Sequence, residues 1–398
     1  MKKKLMVLGA GFPQVKLLQA ARELGYRTVV ASIEGDYPGF AAADEIAYVD
    51  ISKPDQVLAA AREAHIDGIA TCCLDTGIKA LGYVCDAMKL TGLNAEAAER
   101  CNDKYTMKQA FARAGVSSAR FMDVHDEKEL DDAINALGYP AVLKALDLQG
   151  SNGVYICRDE AQLRKAFDNV CQLSRMSHFI LEEYISGNEL GAQAFVYNGE
   201  IVYILPHGDY TYMSKTAIPV GHFVPLAMSD ALEHNVIAEC EKAIRALGLD
   251  NCAVNIDLIE KDGKVYVIEL TGRAGATCLV ELVSIYFGLD YYKMIAMTAM
   301  GEDPRDFFKS GDHLGVANAS HMLISERTGT LNAIQGLEAF KDDPEIYDLS
   351  VIVKPGDHVE KYSKAKDRLG QVIVKGKNYE DCKKKLDSVL EGVRFVVG

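Results

Sequence analysis

Two acidic residues stand on neighbouring predicted strands on either side of a tight turn. The segments 255–260 and 265–270 flank an Asp-Gly dipeptide at Asp262, which is typical of β-hairpins. Because side chains alternate along a strand, Asp257 shares one face of this hairpin with Glu269. Two carboxylates on one face repel each other unless a cation lies between them, and oxygen-only ligands favour Mg²⁺ or Mn²⁺. The pattern predicts a divalent metal site, with a solvated acidic face as the alternative.

An arginine follows the second acid in a loop of small residues. The order Gly272-Arg273-Ala274-Gly275 allows a ligand to approach the backbone closely. Arg273 can hold a carboxylate or a developing oxyanion through two hydrogen bonds. A surface arginine after a strand is the alternative, and the glycine-rich setting favours contact with an anionic ligand.

Lysines near a glycine turn indicate a phosphate site. Lys144 ends a predicted strand just before the turn 150–153, and Lys104 starts a predicted helix. Backbone N–H groups in such a turn can surround phosphate oxygens, and a lysine ammonium can reach them. Taken singly, each lysine is more often a surface charge.

A third segment offers groups for a nucleoside. Glu182, Glu183, Tyr184 and Ile185 run from a predicted strand into a loop that leads to Glu189. A strand edge presents backbone groups to an adenine ring, and Glu189 is placed for ribose hydroxyls. A solvated acidic pair is the alternative interpretation of the two adjacent glutamates.

A glycine turn near the start of the chain follows a strand and precedes a helix, as in dinucleotide-binding proteins. The G-x-G-x-x-G pattern is incomplete, because Gln14 stands where the third glycine belongs after Gly9 and Gly11. A packing turn is therefore favoured over a nicotinamide site.

The elements that must position these residues divide the chain into three predicted domains. Residues 1–95 alternate strands and helices, which predicts a doubly wound parallel sheet, with Ser52 as a helix N-cap. Residues 96–305 begin with helix-forming residues to about Ala114 and continue with antiparallel hairpins, and a lid subdomain spans about 115–185. Residues 306–398 form a small α+β cap.

Composition limits the class of protein. The chain has 398 residues, 49% of them hydrophobic, and a net charge of −14. This acidity argues against binding to a nucleic-acid backbone. The sequence lacks an apolar run of bilayer-spanning length and a secretory signal, and its ten cysteines are scattered, so we expect a cytoplasmic protein with no membrane partner.

The order of these motifs resembles the ATP-grasp superfamily, within it the carboxylate–amine ligase and biotin carboxylase branch. Glu269 lies twelve residues after Asp257 and Arg273 four residues after Glu269, as the acid, acid, arginine signature of the family requires. The resemblance covers nearly the whole chain. It implies an ATP-grasp fold of α/β and α+β class, preceded by a Rossmann-like domain and followed by an α+β C-terminal cap.

The resemblance implies roles for individual residues. Two Mg²⁺ or Mn²⁺ ions would be held by Asp257 and Glu269, with Thr271 where relatives usually carry Asn. Arg273 and Lys144 would be catalytic. The ATP-binding residues implied by the resemblance are Lys104, Lys144, Gly150, Ser151, Asn152, Gly153, Glu182, Glu183, Tyr184, Ile185 and Glu189.

The sequence motifs say less about the residues that bind the substrates. The resemblance places His222 near an acceptor pocket together with Arg273 and Gly275, and a packing histidine is the alternative for His222. The implied reaction joins a small-molecule carboxylate, an amino acid in the favoured version, to an amine through an acyl phosphate, and releases ADP and phosphate. The alternatives are a bicarbonate-phosphorylating enzyme of the biotin carboxylase or carbamoyl phosphate type and a non-catalytic ATP-binding regulatory protein. A homodimer is the base-rate expectation.

Overall fold

The computed structural model describes residues 2–146, 148, 153–213, 217–309 and 315–398. The α-helices of these residues are α1 Phe12–Glu23, α2 Pro38–Ala42, α3 Pro54–Ala64, α4 Ile78–Met88, α5 Ala95–Asn102, α6 Lys104–Ala114, α7 Glu127–Leu137, α8 Glu160–Leu173, α9 Asp230–Leu247, α10 Leu279–Phe287, α11 Tyr291–Ala299, α12 Arg305–Lys309 and α13 Tyr379–Gly392. The strands are β1 Lys4–Leu8, β2 Arg27–Ser32, β3 Glu45–Tyr48, β4 Gly68–Ala70, β5 Phe121–Val124, β6 Ala141–Ala145, β7 Val154–Cys157, β8 Phe179–Glu183, β9 Asn188–Tyr197, β10 Glu200–Met213, β11 Ala217–Val224, β12 Cys252–Lys261, β13 Lys264–Thr271, β14 Ala317–Leu323, β15 Gly329–Gln335, β16 Ile346–Val351, β17 His358–Val359, β18 Gly370–Gly376 and β19 Arg394–Val397.

The chain forms two compact units. The first comprises Met1–Ile204, Met228–Ala274 and Tyr292–Pro304, and the second comprises Leu205–Ala227, Gly275–Tyr291 and Arg305–Gly398. The division into domains at residues 95 and 305 stays a prediction.

The N-terminal part of the first unit contains the predicted parallel sheet. Its order is β3-β2-β1-β4, and all three pairings are parallel. The central strand β1 is apolar from Leu5 to Leu8, and these four side chains are fully buried. Helices connect the parallel strands, because each strand must return to the same end of the sheet before the next begins.

One local prediction in this region is wrong and another is confirmed. Lys53, not Ser52, is the N-cap of α3, and the Ser52 hydroxyl instead donates to Asp50 Oδ1 at 2.7 Å. The helix-forming stretch from Ala95 to Ala114 forms the two helices α5 and α6, and the predicted helix start at Lys104 is confirmed. Asp103 separates the helices because it has an extended backbone and caps α6 by accepting from Thr106 N–H at 2.7 Å.

The lid sheet of the first unit has the order β5-β8-β6-β7 and is antiparallel throughout. One of its faces packs on α7 and α8 through fully buried side chains such as Leu143, Leu181 and Val170. Side-chain alternation turns Lys144 and Glu182 to the opposite face. The sheet therefore separates an apolar core from a charged surface.

A second antiparallel sheet in the first unit includes the strands β13-β12-β9 in this order. The predicted hairpin at Asp262 is confirmed as β12 and β13, and its register places Asp257 directly opposite Glu269 and Asn255 opposite Thr271. A register shift follows between Asp257 and Leu258. This hairpin positions the two acids.

The second unit has an antiparallel sheet in which β11 pairs with β10 and β14, and β18 pairs with β14 and β16. Helix α13 packs on this sheet through the fully buried residues Cys382, Leu386 and Val389. The smaller sheet β17-β15-β19 completes the unit. The predicted C-terminal strand 371–375 and final helix are confirmed as β18 and α13. The strand predicted at 351–353 instead ends at Val351.

Candidate active site

The acidic pair is accessible and lies beside a cation. Asp257 is exposed, and the Glu269 side chain is 41% exposed. The Asn255 amide donates to Asp257 Oδ1 at 3.2 Å, and Lys104 Nζ lies 3.9 Å from Glu269 Oε1. Two carboxylates held opposite each other on a rigid hairpin are a donor set that suits a hard divalent cation. The residues present therefore fit Mg²⁺ or Mn²⁺.

Arg273 is held by an acid that the sequence analysis missed. Its Nε and one terminal nitrogen donate to the two oxygens of Asp75, each at 2.7 Å, and its other terminal nitrogen donates to Ala274 O at 3.1 Å. Burial opposes ionisation of both groups, yet their attraction lowers the pKa of Asp75 and raises the pKa of Arg273. The guanidinium is thus fixed and charged.

Thr271 joins the same group. Its hydroxyl donates to Asp75 Oδ1 at 3.2 Å. Thr271 lies opposite Asn255, whose side-chain oxygen accepts from Gln193 at 2.7 Å. The hydroxyl thus contacts Asp75, while the role of Thr271 as a metal ligand stays a prediction.

A buried carboxylate lies between two lysines on the charged face of the lid sheet. Glu182 Oε2 is 2.8 Å from Lys144 Nζ, and Glu182 Oε1 is 3.6 Å from Lys108 Nζ. The Glu182 and Lys108 side chains are only 3% and 2% exposed. Burial alone would raise the pKa of Glu182, but the two ammonium groups lower it, and burial lowers the pKa of Lys108. The Glu182 carboxylate therefore orients Lys144. The backbone of β8 pairs with β5 on one side and with β6 on the other, so the strand edge predicted for a nucleoside base does not lie at Phe179–Glu183.

The remaining predicted nucleoside residues follow at the end of β8. Glu183 turns its carboxylate to Arg120, whose Nε donates to it at 2.7 Å. Tyr184 N–H donates to Pro140 O at 3.2 Å, Ile185 is buried, and Glu189 is exposed at the start of β9. The Glu183 side chain thus faces an exposed arginine, while Ile185 presents apolar surface inside the fold.

The glycine turn is described only in part. Gly150, Ser151 and Asn152 lie outside the described residues. Gly153 has a φ of +70°, and its carbonyl accepts from the N–H of Ala145 in β6 at 2.9 Å. Lys104 Nζ donates to Leu148 O at 3.3 Å.

Gln14 accounts for the incomplete dinucleotide motif. Its side-chain oxygen accepts from Gly11 N–H at 2.9 Å, and its amide donates to Cys72 O at 2.6 Å. Gln14 is buried, so its side chain occupies the space over the turn. These contacts support the packing interpretation of the glycine turn.

His222 and Gly275 belong to the second unit. His222 Nδ1 lies 2.6 Å and His207 Nδ1 lies 2.9 Å from the same oxygen of Asp209. Both histidines are buried. Burial opposes ionisation of Asp209, but the two imidazoles hold its pKa below the ordinary range, and burial lowers the pKa of His222. An ionised Asp209 accepts hydrogen bonds only, so each imidazole donates from Nδ1.

Two of the missed residues carry weak sequence signals. Asp75 follows the carboxyl end of a short parallel strand, the edge at which such sheets place ligand-binding groups. Lys108 lies one helical turn after Lys104, so it extends on the same side of α6. Neither spacing identifies a partner, because Asp75 contacts a residue 198 positions away in the chain.

Comparison with known proteins identifies the family. Residues 137–281 match the model of an ATP-grasp domain, and residues 321–398 match L-amino acid ligase C-terminal domain 2. The sequence is 43% identical to that of phosphoribosylglycinamide synthetase from Anaerococcus prevotii. The structure matches the crystal structure of that protein with a TM-score of 0.87 over 100% of both chains. The chain belongs to the ATP-grasp superfamily, and it is a C–N bond-forming ligase of the carboxylate–amine type.

More distant relatives agree with this fold. The L-amino acid ligase from Bacillus licheniformis is 19% identical, with a TM-score of 0.85 and coverage of 100% of this chain and 99% of that one. Alanine–anticapsin ligase from Bacillus subtilis is 23% identical over 241 residues, which span 55% of this chain and 51% of the relative. The match therefore spans about half the length of that relative. Among the described residues, no helix has both the length and the apolarity needed to cross a bilayer.

Proposed function

We propose that this ligase activates the carboxylate of an amino acid with ATP and transfers the acyl group to an amine, releasing ADP and phosphate. The observation that carries the proposal is the opposition of Asp257 and Glu269 on one hairpin, with Lys104 3.9 Å from Glu269. Arg273, held by Asp75, follows Glu269 by four residues. A site with this order of charges suits phosphoryl transfer to a carboxylate.

The first step forms an acyl phosphate. A carboxylate oxygen of the substrate attacks the γ-phosphorus of ATP, and the bond from phosphorus to the bridging oxygen breaks as ADP leaves. Lys104 and Lys144 bind phosphate oxygens, and Glu182 fixes the Lys144 ammonium through the 2.8 Å contact. When bound by Asp257 and Glu269, Mg²⁺ supplies positive charge to the phosphate oxygens.

The second step forms the amide. The amine nitrogen attacks the acyl carbon, and the bond from this carbon to the phosphate oxygen breaks. Arg273 stabilises the developing oxyanion, because its contacts with Asp75 and Ala274 use three of its five N–H donors. The proton released by the amine passes to the departing phosphate.

The names of the relatives favour an amino-acid carboxylate. One relative is a phosphoribosylglycinamide synthetase, and glycinamide is an amide of glycine. The C-terminal family model is that of L-amino acid ligases, and it covers residues 321–398 of this chain. We therefore propose an amino acid as the carboxylate substrate and an amino acid or another primary amine as the acceptor.

The test is a screen of phosphate release with purified protein, Mg²⁺, ATP and pairs of amino acids or amines, with the product confirmed by mass. We expect amide formation with at least one pair and its loss in Glu269→Gln. Glu338→Gln is the matched control, because the Glu338 side chain is 88% exposed in the second unit. Phosphate release that needs bicarbonate but no amine would favour the bicarbonate-phosphorylating alternative, and ATP binding without turnover would favour a regulatory protein.

A further inference from the structure

A cluster of one carboxylate and two imidazoles lies on the lid sheet, outside the site described above. Asp123 is in β5, His125 follows β5, and His178 immediately precedes β8. Val124 lies opposite Phe179 at the end of the antiparallel pair β5 and β8, and the rings of the adjoining residues His125 and His178 stack on each other. Asp123 lies two positions before His125 and so on the same face.

The distances within the cluster approach those of ligands around one ion. His178 Nδ1 is 2.7 Å from Asp123 Oδ1, and His125 Nε2 is 3.2 Å from Asp123 Oδ2. The ligand atoms of the three side chains all lie within 4.8 Å of one another. Two ligands at right angles, each about 2.1 Å from a metal, are about 3.0 Å apart. Each carboxylate oxygen faces a different imidazole, so small side-chain movements bring the three ligands onto one ion.

We propose that Asp123, His125 and His178 form a binding site for a divalent transition metal ion such as Ni²⁺, Co²⁺ or Zn²⁺. Two imidazole nitrogens and a carboxylate favour these ions over Mg²⁺, which prefers oxygen ligands only. The site is therefore chemically distinct from the acidic pair of the β12–β13 hairpin.

Access to solvent separates this cluster from a second one in the described part of the chain. The His125 side chain is 52% exposed and the Asp123 side chain 21%, so an ion can enter from solvent and water can complete its coordination. In the cluster of the second unit, by contrast, the His207 and His222 side chains are 3% and 5% exposed. Both of those imidazoles contact the same oxygen of Asp209. In the cluster on the lid sheet, by contrast, each imidazole contacts a different oxygen of Asp123.

A bound ion would add a link between the end of the edge strand β5 and the start of its neighbour β8. The imidazoles of His125 and His178 already stack with their planes 9° apart, and the ring of Tyr105 packs edge-on against His178 at 5.8 Å. Tyr105 follows Lys104 in α6. A bound ion would thus hold His178 against a residue adjacent to the proposed phosphate-binding lysine.

The probe for the proposed site is Ni²⁺, titrated calorimetrically into the full chain without ATP. The experiment uses a Cys171→Ser background, because Cys171 is exposed and its thiol would compete for the ion. Millimolar Mg²⁺ is included so that it, and not Ni²⁺, occupies the acidic pair Asp257 and Glu269. We expect one Ni²⁺ per chain and a rise in melting temperature with Ni²⁺.

Three variants locate the ion. His125→Ala, His178→Ala and Asp123→Asn are each expected to weaken Ni²⁺ binding by about tenfold or more. His358→Ala is the matched control, since His358 is an exposed histidine beside Glu360 and should leave binding unchanged. His125 is exposed, so its removal tests the site even if His178→Ala unfolds the lid. Absence of stoichiometric Ni²⁺ binding, or binding unaffected by His125→Ala, would overturn the proposal, and neither result bears on the ligase reaction.

Discussion

The substitution Glu182→Gln tests whether the buried carboxylate of β8 holds Lys108 of α6 and Lys144 of β6 in place. It keeps the size of the side chain and removes its charge. Lys108 and Lys144 would then face each other and a neutral amide in a site where the Lys108 and Lys144 side chains are only 2% and 10% exposed. Removing one partner of a buried ion pair destabilises a protein by about 3–5 kcal/mol.

The pKa of lysine gives a second estimate of this loss of stability, close to the same upper limit. The variant can avoid two buried positive charges by folding with one neutral lysine. Each pKa unit corresponds to about 1.36 kcal/mol, so a lysine with an ordinary pKa of about 10.4 that folds neutral at pH 7 costs about 4.6 kcal/mol. Burial already lowers the pKa of Lys108, which makes Lys108 the lysine that would lose its proton.

This argument predicts the pH dependence of the variant. If Lys108 is neutral in the folded variant and charged in the unfolded chain, the unfolded state binds more protons, so stability rises with pH. The cost of the neutral lysine falls to about 1.9 kcal/mol at pH 9. The destabilisation by Glu182→Gln should therefore shrink by more than half between pH 7 and pH 9.

The matched control is the neighbouring substitution Glu183→Gln. Glu183 pairs with Arg120, whose side chain is 64% exposed, and an exposed pair contributes about 0–1 kcal/mol. Urea unfolding gives the free energies, and hydrogen exchange of the β8 amides reports on the lid sheet itself. Equal destabilisation by the two substitutions, or a Glu182→Gln effect independent of pH up to pH 9, would refute the proposed charge arrangement.

Three further substitutions test other parts of the site. Asp75→Asn weakens two charge-assisted hydrogen bonds to Arg273, so kcat should fall by about tenfold or more with a smaller change in the KM for ATP, and a change confined to that KM would contradict the positioning role. Thr271→Val removes the hydroxyl bond to Asp75 and should lower stability by about 1 kcal/mol in urea unfolding, and a raised Mg²⁺ requirement in the same variant would identify Thr271 as a metal ligand. Gly153→Ala places a Cβ 2.8 Å from that of Ala145 at a φ of +70°, so the melting temperature should fall, and an unchanged value would mean that the turn adapts without strain.

The hairpin that carries the acids could be predicted because its determinants are local. An Asp-Gly turn fixes the register of the hairpin from Lys261 opposite Lys264 to Leu258 opposite Val267. Continued unchanged, this register would place Asp257 opposite Ile268, and the register shift between Asp257 and Leu258 brings Asp257 opposite Glu269 instead. The hairpin could therefore be predicted, whereas the shift that pairs the two acids could not. The lid hairpin, whose Lys144 pairs with Val154, is predictable for the same reason.

The partners of the charged groups could not be predicted, because they depend on distant segments of the chain. Asp75 and Arg273 come from different sheets, and Lys108 and Glu182 are joined only after α6 packs near the lid sheet. In the sequence, Lys108 is one more lysine on a helix, and its burial is decided by tertiary packing.

The described charges of the site lead to a prediction about the number of metal ions. Arg273 and Asp75 neutralise each other. Three positive charges come from the lysines and three negative charges from the other acids, so these groups also balance; they are Lys104, Lys108, Lys144, Glu182, Asp257 and Glu269. The protein groups alone are thus neutral, while ATP carries about four negative charges, so two divalent ions are needed to balance it. We expect the turnover rate to keep rising with free Mg²⁺ after all ATP is present as MgATP, and Asp257→Asn to abolish this second phase. A rate that saturates once MgATP has formed would show that one ion suffices and that another cation of the chain supplies the missing charge.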